Sequence, residues 1–269
     1  MTDGEASIGV IGGSGFYRLL DDVREVAIDT PYGSPSDAVF LAAVDGRSVA
    51  FLPRHGRRHT VPPHRVNYRA NIWALKSLGV RFLISPCAAG SLQPHVHPGD
   101  FVVCDQYVDR TRGRADTFYD GPEVYHVSAA EPYCPILRSL ACEVIGAHGI
   151  ALHDRGTIVT INGPRFSTKA ESRWFAGQGW EVIGMTQYPE AHLALEQAMA
   201  VVNIALVTDY DSGLFAPGGV EPVSVAEVIR VFETNSKRIR EVVLDLVRRI
   251  PLDADSPCHH ALEHARIGA

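Results

Sequence analysis

Six runs of apolar, largely β-branched residues recur along the chain: Ile8–Ile11, Val49–Leu52, Phe82–Ser85, Phe101–Cys104, Thr157–Ile161 and Val201–Thr208. Each is continuous rather than alternating, which predicts strands buried on both faces. Helical patterns lie between them. Asn67–Leu78 stops at Gly79, Pro135–Ala147 stops near Gly149, Thr168–Gly177 opens on a Ser/Thr start, and Pro189–Ala200 runs straight into a strand. Ser224–Ile250 sets Val225, Val228, Ile229, Phe232, Ile239, Val242, Val243 and Leu246 at helical spacing, so a long amphipathic helix is expected. Strands alternating with helices predict an α/β fold around a mainly parallel central sheet. With no linker, repeat or low-complexity tract, residues 1–252 read as one domain and 253–269 as a compositionally looser C-terminal tail.

Composition narrows the function. The chain has 269 residues, 46% of them hydrophobic and 21% charged, with a formal charge of −6. That acidity argues against a nucleic-acid surface, which needs a broad basic field. No apolar stretch reaches membrane-spanning length, and the Met-Thr-Asp-Gly-Glu start lacks the features of a signal peptide. Five widely spaced cysteines form no disulfide framework, so the expected home is the cytoplasm.

Against this acidic background one block stands out. Arg54 to Asn71 reads Arg-His-Gly-Arg-Arg-His-Thr-Val-Pro-Pro-His-Arg-Val-Asn-Tyr-Arg-Ala-Asn, between a strand and a helix. Cations and donors at such a junction equip an anion site, with phosphate as the natural small anion. The first strand ends in Gly12-Gly13-Ser14-Gly15, suited to close backbone approach, though neither a dinucleotide fingerprint nor a Walker loop. A second small-residue turn is expected at Cys87-Ala88-Ala89-Gly90-Ser91. Three such pieces at strand C-termini converge where open α/β sheets bind ligands. Asp209-Tyr210-Asp211, after an apolar strand, reads equally as a turn or as a carboxyl pair for proton transfer or base recognition. Phe166 reads as a stacking face or as core, and Met185 as a gap filler or a ligand contact. Asp109–Tyr119 is either an active-site loop or a solvated connection.

Together these strings resemble a known family. Gly12–Gly15, Pro53–Thr60, Val66–Asn71, Ala89–Leu92, Pro98-Gly99-Asp100, Asp109-Arg110-Thr111, Gly163–Ser167 with Ala170-Glu171-Ser172, and Thr208–Asp211 are similar to the 5′-methylthioadenosine phosphorylases, in the trimeric branch of the purine nucleoside phosphorylase family. The resemblance runs in order from about Ile8 to Leu246. It implies a single-domain, nucleoside phosphorylase-like α/β fold with a twisted, mixed central sheet flanked by helices. It also implies phosphorolysis of 5′-methylthioadenosine, or a close 5′-deoxyadenosine analogue, to adenine and 5-methylthioribose 1-phosphate, within purine and methionine salvage. Inorganic phosphate is the co-substrate, and no metal or organic cofactor is implied. The implied assembly is a homotrimer or a hexamer.

Residue by residue, the resemblance places phosphate among Ser14, Arg54, His55, Cys87, Ala88 and Thr186. Met185 would lie against the ribose, Phe166 and Ser167 in the purine pocket, and Asp209 and Asp211 on the base edge. Asp209 would donate a proton to the leaving purine, its pKa raised by desolvation, while Asp211 accepts from the exocyclic amine. His59, Val225 and Val228, with His126 from a neighbouring subunit, would surround the 5′ substituent. The sequence departs from the family at Cys87, where many members have Thr, and at Gln187-Tyr188 and Ser212–Phe215. Those departures keep 5′-halo-5′-deoxyadenosines and a broader purine nucleoside range as alternative substrates, and a nucleoside-binding protein as the non-enzymatic alternative. The tail motif Cys258-His259-His260 with His264 offers one thiol in a short segment, a poor metal set.

Overall fold

The computed structural model describes residues 4–12, 23–214 and 225–267, with the backbone alone described over 225–234. In chain order the strands are β1 (Ile8–Gly12), β2 (Arg24–Val26), β3 (Val39–Val44), β4 (Arg47–Pro53), β5 (Phe82–Ser91), β6 (Phe101–Val103), β7 (Gln106–Arg110), β8 (Val124–Tyr125), β9 (Leu152–His153), β10 (Thr157–Ile161), β11 (Val182–Gly184), β12 (Ala200–Asp209) and β13 (Arg266–Ile267). The helices are α1 (Tyr68–Ser77), α2 (Pro135–Ala147), α3 (Lys169–Gly177), α4 (Gln187–Glu196) and α5 (Val225–Arg249). No helix among the described residues is long and apolar enough to cross a membrane.

Eleven strands form one sheet whose path runs β2-β3-β4-β1-β5-β11-β10-β7, with β12 beside β5 and β6. Parallel pairings join β4, β1, β5 and β12, and also β7, β10 and β11. Antiparallel pairings join β2–β3, β3–β4, β5–β11 and β6–β12, so the sheet is mixed. The apolar runs are strands buried on both faces, as their continuity predicts. Ile8, Val10, Phe82, Ile84, Val202, Ile204 and Leu206 pack towards α2 and α5. Their neighbours Ile11, Leu83, Val201, Ala205 and Val207 pack towards α1 and α4. This is the period-two alternation of a pleated strand with a hydrophobic layer on each side.

The helices begin and end where local chemistry dictates. The Asn67 side chain caps α1 by accepting from the Ala70 amide at 3.2 Å. Thr168 and Glu171 form a capping box on α3, and Pro135 opens α2. Gly79, which ends α1 at φ +96°, cannot carry a side chain, because a Cβ there would lie 2.6 Å from the Gly4 Cα. Two expectations need correction. The helix over Pro189–Ala200 begins at Gln187 and ends at Glu196, since Ala198 takes φ +51° before β12 starts. The turn expected at Cys87–Ser91 is instead the second half of β5. Small residues there suggest a turn, but β12 pairs with β5 from Phe82 to Gly90 and holds it extended.

β5 is where the sheet forks. β12 occupies one edge for nearly its whole length, so β1 at Phe82–Ile84 and β11 at Gly90–Ser91 share the other. On that second edge no strand among the described residues pairs Ser85–Ala89. Leu83, fully buried in this hub, is a direct probe of its packing. Leu83→Ala should lower the unfolding free energy by about 2–5 kcal/mol in a denaturant titration, and a loss below about 1 kcal/mol would contradict the packing described.

Candidate active site

The notch in the sheet is filled by charge. Arg54 follows directly on β4 and is only 2% exposed. Its Nε donates to Glu190 Oε2 at 2.7 Å and its Nη2 to Glu190 Oε1 at 2.8 Å, a bidentate pair. Nη2 also reaches Ile11 O at the end of β1 and Ser85 Oγ on β5, while Nη1 donates to Pro86 O at 3.2 Å. Burial opposes the charge, but the Glu190 carboxylate offsets it and raises the arginine pKa. Ser85 donates to Glu190 Oε1 at 2.6 Å and accepts from Gln187 Nε2 at 2.8 Å. The cation that composition offers as an open anion ligand is thus the centre of a buried network, in which one Nη1 hydrogen has no acceptor among the described residues.

His55 is held as a neutral imidazole. Its Nδ1 lies 2.8 Å from the carbonyl of Val61, which can only accept, so Nδ1 carries the proton and Nε2 is an acceptor. Burial, reinforced by the Arg54 charge, pushes its pKa down to about 4. The exposed His59 packs beside it, ring centroids 4.7 Å apart and planes tilted by 33°. Cys87 has its thiol pKa pushed up by burial, and its sulfur accepts from Asn203 Nδ2 at 3.4 Å. Ala88 follows it on β5. Thr186, buried at the start of α4, does not cap the helix with its side chain. Ser14 lies outside the described residues.

At the far end of β5, two carboxylates meet Gly90. A register shift between Val207 and Asp209 lets β12 bulge there. Thr208 Oγ1 donates to Asp209 Oδ2 at 2.6 Å. A Cβ on Gly90 would sit 3.0 Å from Asp209 Oδ1 and 3.1 Å from Asp211 Cα, so the close approach depends on glycine. Asp211, 3% exposed and at φ +45°, accepts short hydrogen bonds on Oδ2 from both Ser167 and Ser172. Two hydroxyl donors fix the orientation of its carboxyl group. Phe166, 38% exposed, precedes Ser167. Ser212, next to Asp211, is buried with no hydrogen-bond partner for its hydroxyl among the described residues.

Met185 links the two ends. A Cβ on Gly163, which takes φ +63°, would lie 2.6 Å from Met185 Sδ, so the 163–167 loop packs directly on this thioether. Arg114 fixes the Met185 backbone from behind. Its Nη2 donates to the carbonyls of Met185 at 2.8 Å and Asn162 at 3.0 Å, and its Nη1 to Tyr68 Oη at 3.2 Å and to the Tyr188 carbonyl. Within Asp109–Tyr119, Thr117 and Phe118 are also bound to Glu196, so the segment is anchored to the domain at both positions. A cavity of about 320 Å³ borders Tyr68 and Arg114, lined by His64, Arg65 and Gly113 but by none of the residues named above for phosphate or base.

His126 is exposed after β8, where its amide donates to Ala265 O at 2.8 Å. It is therefore tied to the C-terminal tail rather than to the site of its own chain. Val225 and Val228 open α5, and their side chains lie outside the description. Sequence reasoning missed Glu190, Ser85, Gln187, Ser172 and Arg114. Glu190 carried one signal, an acid inside an otherwise apolar helix stripe, but an acid in a first turn reads as a helix-dipole partner. Among the described residues no group of three or more His, Cys, Asp or Glu could hold a metal ion. His260 is instead bound to Asp255 and Glu263.

Glu190→Ala should cost about 3–5 kcal/mol of stability by leaving a buried guanidinium unpaired, and replacing both partners with apolar residues of similar volume should recover most of it. A Glu190→Ala variant as stable as the parent would contradict the buried-pair assignment. His55 gives a pH signature. Between pH 6.5 and about 4 the unfolded chain binds this proton and the folded chain does not, so stability falls as the pH drops. The His55 contribution should amount to about 3 kcal/mol across that window and vanish in His55→Gln, as read by urea titrations at several pH values.

The geometry has counterparts in known proteins. The Phosphorylase superfamily profile matches residues 7–248. A purine nucleoside phosphorylase of Streptomyces coelicolor is 53% identical over 96% of this chain and 95% of its own. An S-methyl-5′-thioadenosine phosphorylase of Thermofilum pendens is 50% identical over 98% of this chain and 99% of its own. The crystal structure of a methylthioadenosine phosphorylase from an Antarctic soil metagenomic library superposes with a TM-score of 0.92, at 41% identity over 99% of this chain and 94% of that one. The chain belongs to the phosphorylase superfamily, with the fold of its methylthioadenosine phosphorylases.

Proposed function

We propose that the chain catalyses phosphorolysis of 5′-methylthioadenosine, releasing adenine and 5-methylthioribose 1-phosphate. One observation carries the reading: the Arg54–His55 cluster and the Asp209–Asp211 pair flank the same strand, at Pro86 and at Gly90. Four residues of strand span about 13 Å, so a sugar bridges an anion at one end and a base at the other.

Phosphate would bind by the remaining Nη1 hydrogen of Arg54, the Ser14 and Thr186 hydroxyls and the Cys87–Ala88 stretch. His55, neutral with Nε2 as acceptor, suits the one hydroxyl of monohydrogen phosphate. Thus held, a phosphate oxygen attacks the anomeric carbon as the N-glycosidic bond breaks. Charge accumulates on the leaving purine, and the Asp209 carboxyl protonates its N7 so that it departs neutral. Asp211, oriented by Ser167 and Ser172, accepts from a 6-amino group and favours adenine. Phe166 stacks on the base and Met185 packs on the ribose.

His59, Val225 and Val228 would line the 5′ pocket of each site, closed by His126 of a neighbouring subunit, in a homotrimer or a hexamer of two trimers. Exposure of His126 on its own chain supports that assembly. Phosphate is the co-substrate and no cofactor is called for. Free thiols at all five cysteines support a cytoplasmic setting, with residues 1–252 as the catalytic domain and 253–269 as its tail. The purine nucleoside phosphorylase name of the Streptomyces coelicolor relative supports a second reading, a broader purine nucleoside range.

Adenine release from methylthioadenosine should require phosphate, and equal rates without it would overturn the reading. Methylthioadenosine should surpass adenosine, inosine and 5′-halo analogues in kcat/KM, whereas a preference for inosine would favour the broader range. Asp209→Ala should lower kcat by about 10²–10⁴-fold with little change in phosphate binding, and unchanged turnover would remove Asp209 from the acid role.

A further inference from the structure

The tail motif that the site does not use has a partner elsewhere in the chain. Cys134 precedes Pro135 and caps α2, its sulfur accepting from the Leu137 amide at 3.5 Å. Cys258 follows Pro257 in a short 3-10 turn, Pro257–His260. Ser256 opens that turn, accepts from the Cys258 amide at 3.3 Å and lies 3.2 Å from Cys134 Sγ. The two thiols are close enough to shift one another, Cys258 drawing the Cys134 pKa down and Cys134 pushing that of Cys258 up. Both cysteines are buried, at 0% and 4% exposure, in the core cluster with α2 and α5. Two cysteines roughly 120 residues apart in sequence thus meet at the Ser256 hydroxyl in one buried cluster, one on the domain and one on the tail.

We propose that Cys134 and Cys258 form an oxidisable dithiol, which a peroxide converts to an intrachain disulfide that fastens the tail to the start of α2. The Cys134 thiolate attacks one peroxide oxygen, the O–O bond breaks and one water leaves, giving a sulfenic acid. The Cys258 sulfur then attacks that sulfur, the S–O bond breaks, the S–S bond forms and a second water leaves. Both thiol protons end in water, the sulfurs are oxidised by two electrons and one peroxide is consumed.

Three features select this pair. The neighbouring Cys258, with help from Ser256 and the α2 amides, outweighs burial and lowers the Cys134 pKa below the usual thiol value, while Cys134 keeps Cys258 protonated. Cys87, Cys104 and Cys142 are all pushed the other way by burial. Cys142, although more exposed, has only the Asp154 carbonyl at 3.9 Å beside it. Beyond the turn, β13 pairs with β8, and Ala265 O receives the His126 amide. The disulfide would therefore fix the strap from which His126 hangs. The catalytic weight of that strap rests on the role proposed for His126, whereas the disulfide chemistry does not.

Full-length protein exposed to hydrogen peroxide under native conditions, then alkylated and digested with trypsin, tests the pair directly. The expected product links residues 115–138 to residues 250–266, with a loss of about 2 Da that dithiothreitol reverses. Closing so long a loop should raise Tm by about 5–10 °C, and Cys134→Ser and Cys258→Ser should each abolish the link and the rise. Oxidation of Cys134 to sulfinic or sulfonic acid without a link would overturn the proposal. So would modification of Cys142 ahead of the pair, or a link between chains.

Discussion

The bidentate contact between Arg54 and Glu190 organises the centre of this molecule. Removing two charges from water is costly, and the cost is offset only when partners satisfy the remaining hydrogens. Here the ends of β1 and β4, the middle of β5 and the first turn of α4 all converge on one guanidinium. The guanidinium of the pair binds β5 at Ser85 and Pro86, between the stretches that pair with β1 and β11. The pairing also leaves the proposed phosphate site less cationic than its sequence suggests. Binding there would rely on one arginine hydrogen, a neutral histidine, hydroxyls and backbone, a set suited to holding a dianion in one orientation.

The base end obeys a different constraint, steric rather than electrostatic. Gly90 has no side chain, so β12 can bulge and bring Asp209 and Asp211 against β5. Ser167 and Ser172 fix Asp211 from α3 and the loop before it, and Met185 joins that loop to the anion side through Gly163. Arg114 ties the same backbone to Tyr68, so α1, the 111–120 loop and α4 act together. A site assembled from so many elements is rigid because each contact also serves the fold.

Much of this was legible in the chain. The six apolar runs are strands because burial on two faces leaves few polar positions, and four of the five helix patterns match to within a residue or two. Pro189–Ala200 was misplaced because helical pattern and strand run together without a breaker, and only the positive φ of Ala198 separates them. Cys87–Ser91 looked like a turn because small residues suit turns and also suit a strand crowded by carboxylates. Arg54 was legible as a site residue, but Glu190 was not, since an acid in a first helical turn has a simpler explanation. Ser172 and Arg114 act through partners some 39 and 71 residues away, a distance that periodicity and local motifs do not cover. The meeting of Cys134 and Cys258 at Ser256 is hidden for the same reason.

The central claim is that phosphate, held beside the Arg54–Glu190 pair, is the nucleophile at the anomeric carbon. Isotopically labelled inorganic phosphate supplied with methylthioadenosine tests it most directly. The account predicts that label enters the sugar product as 5-methylthioribose 1-phosphate, in equal amount to the adenine released. Adenine accompanied by unlabelled, free 5-methylthioribose would contradict it and identify water as the nucleophile.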